Sequence, residues 1–202
     1  MKFVISGLLA VSLLASALAA SADDSKTKAP PDTLVMLEKA VRNDSTKFDN
    51  LYKLGLAYID RDRPQDAVKV LTKATVLRPG DVKALVNLGA AYDAQGSTGA
   101  AQDAYRKALD LAPGDSVASC RLASSLYAQG KQGEAVDLLR DLMLEKPRAH
   151  CAYFTMGVAF ADAGIYREAI RMWQKVIEIA PESPEAGSAK ESIDVLKKFV
   201  GM

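Results

Sequence analysis

His150 is the one histidine of the chain, and Cys120 and Cys151 are its two cysteines. These are the side chains most able to act as base, nucleophile or metal ligand near neutral pH. A nucleophile–base–acid site built on imidazole would have to use His150 itself, and nothing around it in sequence supports that, so it reads as a helix-start or loop residue. The cysteines lie 31 residues apart. That is outside CxxC spacing, so neither a redox motif nor haem attachment is indicated. The sequence has no Cys-His cluster, no glycine-rich phosphate loop after a strand and no calcium-loop spacing. The acid pairs Asp23-Asp24 and Asp60 with Asp62 read as solvated charge. The expectation is a non-enzymatic protein with no catalytic residue, no metal and no cofactor.

With no constellation to position, the elements themselves carry the information. The sequence repeats itself at a period of 34 residues, the signature of a stacked-repeat architecture. Pro79, Pro113, Pro147 and Pro181 form one column. Ala67, Ala101, Ala135 and Ala169 form another. Leu54, Leu88, Leu122 and Met156 stay in phase, as do Gly55, Gly89, Ala123 and Gly157. So do Tyr58, Tyr92, Leu126 and Phe160, and so do Leu71, Tyr105, Leu139 and Trp173. Each column has a physical reason. Leu54 and Tyr58 are four apart and stack on one helical face. Gly55 and Ala67 are small where two antiparallel helices cross. The proline column stops the second helix of each pair. Gly96, Gly130 and Gly164 share the turn between the two helices, where a left-handed residue is needed. Asp62 stands in that column in the first repeat, and Pro64 follows at a favoured helix-start position.

The columns resemble those of the tetratricopeptide repeat family over residues 48–181, without insertion or deletion. The resemblance implies an all-α fold, with antiparallel helix pairs stacked into a right-handed superhelical solenoid whose concave face is lined by the first helices. Expected boundaries are a half-repeat at 32–47, repeats at 48–81, 82–115, 116–149 and 150–183, and a capping helix at 183–200. In the half-repeat, Leu34, Leu37 and Val41 form the apolar side. The cap begins with Ser183, Pro184 and Glu185, and its stripe is Ala189, Ile193, Leu196 and Val200. Departures are local. Ser119 replaces the large apolar residue seen as Leu51, Leu85 and Tyr153, and Leu142 and Val176 replace the small Ala74 and Ala108. The third repeat is therefore expected to pack less regularly.

The N-terminus reads differently. Lys2, the apolar run from Phe3 to Leu14 and the small residues of Ala15–Ala22 make a secretory signal peptide over residues 1–19, with cleavage after 19 or 22. The alternative is an uncleaved anchor. Residues 20–31 read as a linker. The expectation is an exported protein, periplasmic or secreted, with no membrane span once the signal is removed. A formal net charge of +1 offers no field for nucleic acid.

Opposite the packing columns the first helices carry Tyr52, Leu56 and Ile59, then Val86 and Ala90, then Val117, Cys120 and Tyr127, then Cys151, Phe154 and Val158. Asp49, Lys83 and Asp93 are polar members of the same face. The resemblance makes this face the peptide-binding groove and those eleven residues its contacts. The carboxylate clamp of cytosolic chaperone-binding members needs lysine and asparagine where this chain has Tyr52 and Leu56, so that ligand class is disfavoured. The expected function is a scaffold or adaptor of the cell envelope, an assembly factor among the kinds the resemblance offers. It would bind an extended or helical, partly apolar polypeptide. The competing reading is a structural protein that self-associates through the groove or the array ends, with no foreign ligand. The repeat phase puts Cys120 and Cys151 on the groove side of neighbouring first helices. A disulfide between them and two apolar thiols are both open readings.

Overall fold

The computed structural model describes residues 31–201. The signal segment and all but the last residue of the expected linker lie outside the described residues. Ten helices make up the described chain: α1 (Pro31–Asn43), α2 (Phe48–Asp60), α3 (Pro64–Leu77), α4 (Val82–Ala94), α5 (Thr98–Leu111), α6 (Ser116–Ala128), α7 (Gln132–Glu145), α8 (His150–Asp162), α9 (Tyr166–Ile179) and α10 (Pro184–Val200). No strand occurs among the described residues. The fold class is all-α, with α2 to α9 forming four antiparallel pairs. The chain divides into two compact units, one ending at Ser125 and the other beginning at Leu126.

The helices begin where local chemistry allows. The side chain of Asp81 accepts a hydrogen bond from the Ala84 amide at 2.8 Å, and that of Asp115 accepts one from the Ala118 amide at 2.7 Å. Both are N-caps that satisfy an otherwise orphaned donor. Ser183 caps α10 in the same way through the Ala186 amide at 3.1 Å, with Pro184 in the first turn. Between the helices of each pair the chain turns through one left-handed residue. Gly96, Gly130 and Gly164 take φ of 83°, 81° and 75°, and Asp62 holds the same place with φ 54°.

In the unit ending at Ser125, Leu54, Tyr58, Ala67, Leu71, Leu88 and Ala91 form one apolar cluster, against which Leu34, Leu37 and Val41 of α1 pack. Phe48, Leu51, Ala74 and Ala84 form a second. Leu51 and Leu71 are fully buried, and each contributes about 1.5–3 kcal/mol by leaving water. Polar ties also hold α1 in place. Glu38 accepts from the Tyr58 hydroxyl at 3.0 Å and pairs with Arg63 at 3.3 Å. In the unit beginning at Leu126, the stripe of α10 expected from sequence closes over α8 and α9. Ala186, Ala189 and Ile193 join Ala169, Ile170, Trp173 and Val176 in one cluster, with Leu196 packed at its margin.

The small column is a steric requirement. A Cβ on Gly55 would sit 2.5 Å from Leu71 Cγ, and one on Gly157 2.5 Å from Trp173 Nε1. One on Gly89 would strike the Tyr105 ring.

Candidate functional site

The inner face of the first helices has two different characters. In the unit ending at Ser125, Tyr52, Leu56, Ile59 and Ala90 are half-buried, presenting apolar surface without being sealed. Tyr52 stacks on Phe48 one turn earlier, with centroids 5.7 Å apart and rings 8° from parallel. Its hydroxyl accepts from Asn87 Nδ2 at 3.0 Å, and the same nitrogen reaches the Lys83 carbonyl at 2.9 Å. The Tyr52 ring is thus held at both ends. Val117 is exposed, at 48%. In the unit beginning at Leu126, Tyr127 and Cys151 are half-buried.

Four of the eleven anticipated groove residues are not open. Val86 and Cys120 are buried. Phe154 and Val158 are buried within the cluster that contains Ile170, Trp173 and the α10 stripe. The Phe154 carbonyl also accepts the Trp173 indole N–H at 3.2 Å. Phase alone placed these two on the groove. α9 and α10 pack across that part of α8, so they are core residues. No cysteine among the described residues is a free thiol.

Sequence reasoning missed a buried polar cluster beside the same face. Asp93 accepts from the Tyr105 hydroxyl at 2.9 Å and from the Ser125 hydroxyl at 3.0 Å. Arg121 is buried, 6% exposed, and its charge acts on Asp93. Burial still pushes the Asp93 carboxyl above its ordinary range, against those two hydrogen bonds and the guanidinium. Burial, then the Asp93 charge, raises the Tyr105 phenol. The signal was present in the columns. Ser125 stands where other repeats have Ala57, Ala91 and Ala159, and Tyr105 puts a hydroxyl where Leu71 and Leu139 have none. In the other unit the Tyr127 phenol is pushed up to about 12, by burial first and then by Asp162.

His150 opens α8, and its Nε2 lies 3.7 Å from the carboxylate of Glu185, which is buried in the first turn of α10. The pair joins the starts of two helices, and its geometry is that of a structural tie. Among the described residues no three metal-capable side chains converge, and no helix is long and apolar enough to cross a membrane.

Two segments match models described as tetratricopeptide repeat, residues 52–116 and residues 152–183. Over those residues the repeats of this chain are similar to tetratricopeptide repeats. Among solved structures the chain is similar to MamA, at 27% identity and a TM-score of 0.62, over 74% of this chain and 87% of that one. It shares its fold with a tetratricopeptide repeat protein from Parabacteroides merdae, at 22% identity and a TM-score of 0.57, over 76% and 60% of the two chains. It also shares its fold with a chain of the APC/C hetero-tetramer Cut9–Hcn1. There the identity is 16% and the TM-score 0.74, over 94% of this chain and 36% of that one. A comparison with curated protein sequences finds no match. Tetratricopeptide proteins generally mediate protein–protein interactions and are typically non-enzymatic scaffolds.

Proposed function

We propose that this chain is a non-enzymatic adaptor that holds a polypeptide segment against the inner face of its first helices, in the cell envelope after export. The observation that carries the reading is the strip of Tyr52, Leu56, Ile59 and Ala90. It is half-buried and apolar, yet edged by a fixed amide–phenol pair, Asn87 and Tyr52. Such a strip offers area to an apolar side chain and a donor–acceptor edge to orient a backbone. Export rests on the N-terminal pattern of one lysine, an apolar run and A-x-A sites. The same compartment favours pairing of Cys120 with Cys151.

The test is site-specific photo-crosslinking in envelope extract. A photoreactive residue at Leu56 should give discrete protein adducts, and one at the exposed Lys107 should not. Equal labelling from both positions would remove the inner face as the binding surface. A Leu56 adduct containing only this chain would favour the self-associating alternative.

A further inference from the structure

The inner strip of the unit ending at Ser125 has a chemical direction. Along α2, Tyr52, Leu56 and Asp60 follow one another at one-turn spacing, and along α4 Ala90 is followed by Asp93. Residues three or four apart share a helix face, so the apolar strip runs into a carboxylate on both helices. Asp93 also stands in the column of Ile59. The opposite end of the strip is different. There Asp49 is paired with Arg78 at 3.3 Å, and Lys83 precedes Asn87 by one turn.

The acidic end is short of positive charge. Neither α2 nor α4 has a basic residue in its last turn, where the helix dipole is negative. Arg61 acts on Asp60 and Arg121 acts on Asp93, yet burial outweighs the arginine in each case. Both carboxyls stand above their ordinary range. Each oxygen of Asp93 accepts one hydrogen bond, from Tyr105 or from Ser125, and a carboxylate has acceptor sites for about four.

The spacing sets the pattern of a matching partner. One helical turn advances about 5.4 Å. An extended chain covers that in about two residues, and residues two apart share a side. We propose that the segment held by the strip carries lysine or arginine two positions beyond an apolar side chain. The apolar group lies on Leu56 and Ile59, and the cation lies at Asp60 and Asp93. This rests on the inner-face reading above and gives the chemistry of its partner.

Fluorescence anisotropy with the full chain tests this. The probes are short fluorescein-labelled peptides of alternating leucine and serine, with lysine, serine or glutamate replacing the last leucine at either end. The lysine probe should bind roughly three- to tenfold tighter than the serine probe, and the glutamate probe should bind weakest. Raising salt from about 0.05 M to about 0.5 M should erase the lysine preference. Asp60→Asn and Asp93→Asn should each lower the ratio of lysine to serine affinity and leave the serine probe unchanged. Asp103→Asn, at an exposed acid of α5, should leave that ratio as it is. Asp60 is exposed, so its variant keeps the test sound if circular dichroism shows that Asp93→Asn disturbs the helices. Leu56→Ser should weaken every probe. Equal binding of the three probes, still weakened by Leu56→Ser, overturns the proposal and leaves the strip standing. A lysine preference that survives both aspartate changes also overturns it. No binding, or binding indifferent to Leu56→Ser, removes the strip and this proposal with it.

Discussion

Gly89 and Gly157 share a column in two separate units, and each lies against an aromatic ring 16 residues later. The rings end on different acceptors. The Trp173 indole N–H donates to the Phe154 backbone carbonyl, which is neutral and needs no further compensation. The Tyr105 hydroxyl donates to the Asp93 carboxylate, which also takes a hydrogen bond from Ser125 and the charge of buried Arg121. One steric slot thus carries two electrostatic costs. The repeat specifies the volume of the residue at this position and leaves its polar tip to be satisfied locally.

The largest effect is expected where the two inner faces differ most. Phe154→Asp would bury a lone charge among Ile170, Trp173 and the α10 stripe, and should cost at least about 4 kcal/mol. Leu56→Asp changes a half-buried residue and should cost about 1 kcal/mol. Fluorescence of Trp173, the single tryptophan, follows the first variant in urea, and far-ultraviolet circular dichroism follows the second. Similar losses would mean that Leu56 is as much a core residue as Phe154.

Next come the crossings. Gly89→Leu and Gly157→Leu should each lose about 1–3 kcal/mol, because Tyr105 or Trp173 must leave its place. Exposed Lys107→Ala should stay within about 0.5 kcal/mol. Urea midpoints that fail to separate the glycine variants from the lysine variant would refute the close approach.

A smaller effect distinguishes the acceptors by pH. The folded-state pKa of Asp93 is raised, so the folded state holds this proton more tightly than the unfolded chain does. The penalty is full above the folded pKa and fades as pH falls through it towards the unfolded value near 3.9. Asp93→Asn removes this titration. Wild type should therefore gain stability relative to Asp93→Asn between neutral pH and about pH 4. Trp173→Phe should lose about 1 kcal/mol for its hydrogen bond at either pH. A pH-independent difference for the Asp93 pair would show that burial is not the dominant influence on that carboxyl. The smallest change concerns the turn column. Asp62→Gly should gain about 1 kcal/mol, since Asp62 is the non-glycine residue held at positive φ there. A loss in thermal melts would mean that the Asp62 side chain contributes more than its backbone strain costs.

The helices were legible because each column answers to a local demand: a proline to stop, a small residue at a crossing, a left-handed turn. The cap was legible for the same reason, from Ser183 and Pro184. The openness of the inner face was not. Phe154 and Tyr52 have the same phase, and what separates them is whether another helix lies across them, which depends on the neighbours of each repeat. The Asp93 cluster was hidden for a related reason. Its members come from three helices and different columns, so no single period connects them. The one visible trace was Ser125 in an alanine column.

The two aspartate caps carry a consequence for how such a chain can change length. Asp81 and Asp115 stand one repeat apart and make the same bond to the amide three residues on. Excising residues 82–115 would join Asp81 to Ser116 and leave a working cap at the seam. Ile59 would then fill the place of Asp93, and Leu71 that of Tyr105, so Asp93, the partner of Ser125 and the acid that burial disfavours, would leave together with the Tyr105 hydroxyl that donates to it. The 34-residue block is thus a quantum of recombination. Its gain or loss keeps every turn and crossing supplied, whereas a cut that is not a whole number of repeats would rotate all later helices out of register.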